Sequence, residues 1–158
     1  MRRADISLLF DFFVTSQRIR RVLGDALADA GMRPDEYAVY SLLLEEGPLT
    51  ATAMAEILGM PLTTVLDYLK ALERAGHMVR TAHPFDGRAT EVSLNRSGLE
   101  AQRRAHRHWE VVRKAIEDDL TVPIGKLRRS LLALDDSVQR AGLQLKRKQA
   151  RAARRASG

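Results

Sequence analysis

The stretch from His77 to Gly98, HMVRTAHPFDGRATEVSLNRSG, constrains this chain more than any other. His77–Ala82 and Ala89–Leu94 are partly alternating segments with β-branched residues. Between them His83-Pro84-Phe85-Asp86-Gly87-Arg88 supplies Pro, Asp and Gly where a chain must reverse. The spacing predicts a β-hairpin with a polar tip that carries an acid, Asp86, and an arginine, Arg88. Asn95 then stands where a helix N-cap belongs, and Ser97 with Glu100 three residues on offers an alternative capping box. A hairpin that runs directly into a helix is therefore expected.

The segments before the hairpin have a helical period. From Asp5 to Ala30 the residues Ile6, Leu9, Phe10, Phe13, Val14, Val22, Leu23 and Leu27 recur mostly every three or four positions, and Gly31 ends the run. Pro34, Asp35 and Glu36 open a second helix through Leu44, with acids in the turn where the helix dipole favours them, and Gly47-Pro48 closes it. Leu49-Thr50 is a candidate for a very short strand. A third helix is expected over Ala51–Leu58 and a fourth from Leu62 to Ala75, separated by Gly59-Met60-Pro61. Two short helices across such a turn form a helix-turn-helix, and Met54, Ile57, Leu58, Val65, Leu69 and Leu72 supply its shared core. After the hairpin, helices are expected over Ser97–Leu120 and from Pro123 to at least Leu145, broken at Thr121-Val122-Pro123. The fold class is mostly α with a small β-hairpin wing, a winged helix-turn-helix flanked by terminal helices.

Charge narrows the function less than its total suggests. The formal net charge is +6, but Lys146, Arg147, Lys148, Arg151, Arg154 and Arg155 account for all of the excess. Residues 50–98 are balanced: Lys70, Arg74, Arg80, Arg88 and Arg96 stand against Glu56, Asp67, Glu73, Asp86 and Glu91. DNA binding must be argued from placement and not from net charge. Cysteine is absent, which excludes disulfides, thiolate metal sites and cysteine nucleophiles. No apolar run reaches the length of about 20 residues that a membrane-spanning helix needs, so a cytoplasmic protein with no membrane partner is expected.

With these elements in order, the sequence resembles the multiple-antibiotic-resistance regulator (MarR) family of bacterial transcription factors. That family's wing pattern, DxRxxxxxLTxxG, is met by Asp86, Arg88, Leu94 and Gly98, with Asn95 in place of the usual Thr. Arg80 matches the usual end of the first wing strand. Midway along the recognition helix many members carry Thr-Arg, where this chain has Leu66-Asp67. The resemblance implies a homodimer, paired through its N- and C-terminal helices, that binds a pseudo-palindromic duplex DNA site. In many members it also implies repression relieved by a small anionic or phenolic ligand. On this reading residues 34–95 are the winged helix-turn-helix domain, 1–33 and 96–147 the dimerisation region, and 148–158 a basic, flexible tail, with continuation of the last helix as the alternative.

The candidate DNA-binding residues follow from the helical wheel and the wing. Opposite Val65, Leu69 and Leu72 lie Thr63, Asp67, Lys70 and Arg74, with Thr64 and Tyr68 at the edges. Thr63, Thr64 and Asp67 are placed to reach base edges, and Lys70 and Tyr68 lie nearer to phosphate. Arg80 and Arg88 are the wing candidates. Arg88 has the reach and planar charge to enter a narrow minor groove, and Asp86 is expected to orient its guanidinium by a charge-assisted hydrogen bond, the alternative being that Asp86 is a turn residue bonding its own backbone and Arg88 a free surface charge. Phe10, Phe13, Tyr37 and Trp109 are candidates for a pocket that takes a small aromatic or anionic effector. His106 and Glu110 share a helix face, but two ligands are too few for a metal site, so no metal, cofactor or catalytic residue is expected. The rival function is a winged-helix interaction module or adaptor that does not bind DNA specifically, which the balanced charge of residues 50–98 favours.

Overall fold

The computed structural model describes residues 7–156. Asp5 and Ile6, read above as the start of the first helix, lie outside the described residues, as do the last two residues of the basic tail. The elements follow in the order α1 (Leu8–Ala28), α2 (Pro34–Glu46), β1 (Leu49–Thr50), α3 (Ala51–Leu58), α4 (Leu62–Arg74), β2 (Met78–Ala82), β3 (Thr90–Leu94), α5 (Arg96–Asp118) and α6 (Ile124–Ala156). They divide into two compact units, one up to Lys114 and one from Ala115.

In the first unit, α1 begins at Ser7, whose hydroxyl accepts the Phe10 N–H at 3.4 Å and supplies a partner that the first turn lacks. At the start of α2, Arg33 and Glu36 close on each other: the carboxylate accepts the Arg33 N–H at 3.0 Å and its guanidinium at 2.8 Å. Helix α2 lies at the centre and buries Tyr37, Val39, Tyr40, Leu42 and Leu43, which cover more than one of its faces. Around it pack Leu27, Met54, Val65, Leu69, Leu72, Val92, Ala101 and Ala105. Each fully buried Leu or Val contributes about 1.5–3 kcal/mol of transfer free energy.

The helix-turn-helix is punctuated as the sequence predicts. Thr50 caps α3 by accepting the Ala53 N–H at 3.2 Å. Gly59 ends the helix at φ 62°, a left-handed conformation that costs a Cβ-bearing residue about 1–2 kcal/mol. The short strand at Leu49-Thr50 extends the hairpin into a three-stranded antiparallel sheet of order β1-β3-β2, with Leu49 opposite Val92 and Arg80 also opposite Val92 on the other side.

The passage from β3 into α5 is the tightest part of the fold. Asn95 caps α5 through Oδ1, which accepts the Gly98 N–H at 3.0 Å, while its Nδ2 donates to the Gly76 carbonyl at 2.8 Å. The alternative Ser97–Glu100 box does not form. Ser97 Oγ lies 2.8 Å from both the Gly76 carbonyl and Asn95 Oδ1, and Glu100 instead accepts from Arg96 at 3.2 Å. Asn95 wins the cap because its amide serves the helix and the preceding turn at once. Gly98 is buried so close to β2 that a Cβ there would stand 2.1 Å from the His77 carbonyl oxygen.

Most of the second unit is α6, which continues through Ala156, so the basic segment is helical that far. Ala, Arg, Lys and Gln are all good helix formers, and no Gly or Pro interrupts 143–156. Along α6, Ile124, Leu127, Leu131, Leu134, Val138, Ala141 and Leu145 alternate three- and four-residue spacings. Most of this stripe is exposed within one chain.

Candidate nucleic-acid interface

Helix α4 turns Val65, Leu69 and Leu72 into the core and leaves Leu62, Thr63, Leu66, Asp67, Lys70 and Arg74 exposed, with Thr64 half-buried. The predicted face is therefore presented on one helix. Its charges are partly engaged: Lys70 Nζ reaches Asp67 at 3.2 Å, and Arg74 Nε donates to the Lys70 carbonyl at 3.4 Å. Such exposed pairs are worth little and open readily to a stronger partner. Leu62 and Leu66 were missed as candidates, although Leu66 falls off the Val65/Leu69/Leu72 stripe on a helical wheel. Their exposed alkyl groups are the type that meets thymine methyls in a major groove.

Tyr68 is held differently from its neighbours. Its hydroxyl donates to Asp35 Oδ2 at 3.1 Å, and the Arg33 guanidinium carbon stands 5.6 Å from its ring centroid. Burial, followed by the adjacent Asp35 carboxylate, raises the phenol above its ordinary range, so it stays a neutral donor. The same carboxylate receives the Arg20 guanidinium through two parallel hydrogen bonds, of 2.9 and 2.5 Å. Neither Asp35 nor Arg20 was singled out from sequence as functional, because their contacts span 33 and 15 positions.

At the wing, Asp86 accepts the Arg88 backbone N–H at 3.0 Å. The expected bond to the guanidinium is not made: a two-residue spacing on a tight turn places the carboxylate over the backbone first. The Arg88 side chain has no ion-pair partner among the described residues and is exposed. His83, unassigned above, organises the tip. Its Nδ1 accepts the N–H groups of Phe85 at 3.2 Å and Asp86 at 3.1 Å, and its Nε2 lies 3.5 Å from Glu91. That leaves Phe85, 94% exposed, standing out from the wing beside Arg88. Arg80 is bound to Glu73 on α4 by two hydrogen bonds, of 3.1 and 3.4 Å, and so ties the wing to the recognition helix.

The four aromatic candidates fall into two differently exposed pairs. Tyr37 and Trp109 stack at 4.7 Å, and the Tyr37 hydroxyl lies 2.7 Å from His106 Nδ1, while Phe10 and Phe13 are 46% and 58% exposed on α1. His106 also stands 3.8 Å from Glu110, and among the described residues no third metal-ligating side chain joins them. A cleft of about 190 Å³ instead opens among Met32, Glu36, Tyr40, His77, Ala101 and Arg104, with the Tyr40 hydroxyl 2.7 Å from His77 Nδ1. Burial alone would raise the Glu36 carboxyl, but the hydrogen bonds from the Arg33 side chain and N–H prevail and hold it below the usual carboxylate range.

A helix-turn-helix joined to a hairpin wing, with the second helix and the wing tip both exposed, defines a winged helix-turn-helix protein. Comparisons with known proteins agree. Residues 27–84 match the family model described as sugar-specific transcriptional regulator TrmB. The HTH-type transcriptional regulator SarZ of Staphylococcus epidermidis is 27% identical over 95 residues, which span 60% of this chain and 64% of SarZ. The M. tuberculosis transcriptional regulator MosR, solved in complex with DNA, superposes with a TM-score of 0.75 at 17% identity, covering 86% of this chain and 98% of MosR. MarR of E. coli superposes with a TM-score of 0.66 at 19% identity over 84% of this chain and 97% of its own. The chain has the fold of the MarR-family regulators. No helix among the described residues is long and apolar enough to cross a membrane.

Proposed function

We propose that this protein is a homodimeric transcription repressor that binds a pseudo-palindromic duplex DNA site, with α4 in the major groove and the wing in the minor groove. The observation that carries this reading is the joint exposure of Thr63, Leu66 and Asp67 on α4 and of the unpartnered Arg88 on the wing of one compact unit. Thr63 and Thr64 address base edges, Leu62 and Leu66 address thymine methyls, and Lys70 and Arg74 address phosphate. Arg88 enters a narrow A·T-rich minor groove, where the potential is most negative.

Dimerisation accounts for apolar surface that one chain leaves open. Leu8, Leu9, Phe12 and Phe13 on α1 are each at least half exposed, as are Leu132, Val138, Leu143 and Leu145 on α6. Patches of this kind on a lone chain mark an interface. A two-fold pairing buries them and presents two recognition helices to half-sites about one helical turn, roughly 10 base pairs, apart. The cleft among Glu36, His77 and Arg104 is a place for a small effector, with Arg104 to meet an acidic group, and its lining joins α2, the end of α4, the turn before β2 and α5.

Selection of bound duplexes from a random library, followed by footprinting, tests the proposal. It expects an enriched dyad with both half-sites protected; recovery of unrelated sequences refutes it. The rival, an interaction module without sequence-specific DNA binding, is favoured by the balanced charge of residues 50–98 and by the pairing of Arg80 with Glu73. The same selection decides against it if a motif emerges.

A further inference from the structure

We propose that Arg20, Asp35 and Tyr68 form a positioning node that sets the angle of the recognition helix against α1, so that the DNA-reading face depends on residues of α1 and α2 that do not belong to it. The inference rests on the DNA-binding reading above and adds to it the residues that orient the helix.

Asp35 sits in the first turn of α2 and is shared by two other helices. Arg20 of α1 approaches it with both guanidinium nitrogens, and Tyr68 of α4 donates its hydroxyl to the same oxygen that takes one of them. The contacts therefore tie α1 to α4 through one carboxylate. The remaining hold on α4 is apolar, through Val65, Leu69 and Leu72, apart from the Arg80–Glu73 pair near its C-terminal end. Apolar burial is non-directional, whereas hydrogen bonds lose strength steeply with angle, so the node is the directional contact that resists rolling and tilting of α4 beside Thr64 and Asp67. Tyr68 lies one turn beyond Thr64 and next to Asp67, so a roll at Tyr68 moves the base-facing residues directly.

Partial exposure separates positioning from stability. The Arg20 and Asp35 side chains are 52% and 27% exposed, so solvent screens the pair and even with its bidentate geometry its loss costs folding about 1 kcal/mol. Removing the node should leave the protein folded but its recognition helix less well aimed. Arg20 and Asp35 are positioning residues, since neither belongs to the base-facing surface. Tyr68 is the point at which they act.

The test uses the full-length protein with Tyr68→Phe, Asp35→Asn, Arg20→Ala and Arg20→Lys. Without DNA, hydrogen exchange followed by mass spectrometry is expected to quicken across residues 62–74 in Tyr68→Phe, Asp35→Asn and Arg20→Ala, with the thermal midpoint nearly unmoved. With DNA, the ratio of affinities for the selected site and a scrambled duplex is expected to fall about tenfold, the usual effect of losing a hydrogen bond to a charged group. Arg20→Lys keeps the charge but not the fork, and restores part of the ratio. Arg20→Ala combined with Tyr68→Phe should lose little more than either alone, because both act through Asp35. Unchanged exchange in 62–74, or fully additive losses of selectivity, overturns the proposal. If the wild-type protein does not distinguish the two duplexes, the DNA-binding reading fails, and the exchange rates still decide whether the node holds α4.

Discussion

Replacing Gly98 with alanine tests how the wing is fastened to α5. In an ordinary helix interior this change stabilises by about 1 kcal/mol, because alanine has less backbone freedom to lose. Here the new methyl would stand 2.1 Å from the His77 carbonyl oxygen, 3.1 Å from its carbon and 3.2 Å from Leu94 Cδ2. The nearest of these is backbone at the start of the wing, and the same oxygen accepts the Asn95 N–H at 3.1 Å. Relieving the clash must move α5 away from β2. Overpacking of this kind costs about 1–3 kcal/mol, and the strained hydrogen bond about 1 more, which exceeds the helical gain. A net loss near 2 kcal/mol lowers the melting temperature by about 4–8 °C for a chain of this size. Differential scanning calorimetry measures it, with Gly125→Ala as the control, since a Cβ there meets only Arg129 Nη1 at 3.7 Å. A Gly98→Ala protein that melts at or above the wild-type temperature would refute the close-approach argument.

Arg88→Ala should weaken DNA binding by about 1–2 kcal/mol and reduce the salt dependence by roughly one phosphate contact, as read by fluorescence anisotropy across a salt series; unchanged affinity would remove the wing from the interface. Leu131→Asp places a charge in the apolar stripe of α6 and should shift the protein from dimer to monomer in sedimentation velocity, whereas an unaltered dimer would locate the interface elsewhere. The lowered Glu36 carboxyl contributes stability that is complete above the ordinary carboxylate value of about 4.3 and is lost as pH falls through its lower native value. Acid unfolding of Glu36→Gln should therefore depend less steeply on pH in that window than that of the wild type, and an identical slope would contradict the assignment.

Much of the fold was legible because it is locally punctuated. The bounds of α3 could be read directly, since Thr50 and Gly59 mark its ends by side-chain capping and left-handed backbone. The hairpin was legible for the same reason, and Asn95 was identifiable as a cap. The exposed face of α4 followed from the helical period, which also puts Leu66 outside the buried stripe although it was not named among the candidates. What stayed hidden was non-local. No pattern within α2 announces that Asp35 is shared by Arg20 and Tyr68, and no spacing shows that Arg80 meets Glu73. For Asp86 and Arg88 the sequence left a side-chain pair and a backbone-bonded turn residue both open, and the turn geometry directs the carboxylate to a backbone N–H. Among the four aromatics the stacking of Tyr37 on Trp109 was equally hidden, because helical period places a residue on a face without saying which partner that face meets.

The most direct measurement is the affinity of the purified protein for its own upstream DNA against a scrambled duplex of equal length, across a salt series. The account predicts tighter binding to the upstream DNA by about three orders of magnitude or more near physiological salt, with an advantage that persists as salt rises. Equal, feeble binding to both duplexes, vanishing together with salt, would contradict it and leave α4 and the wing as a surface for some other partner.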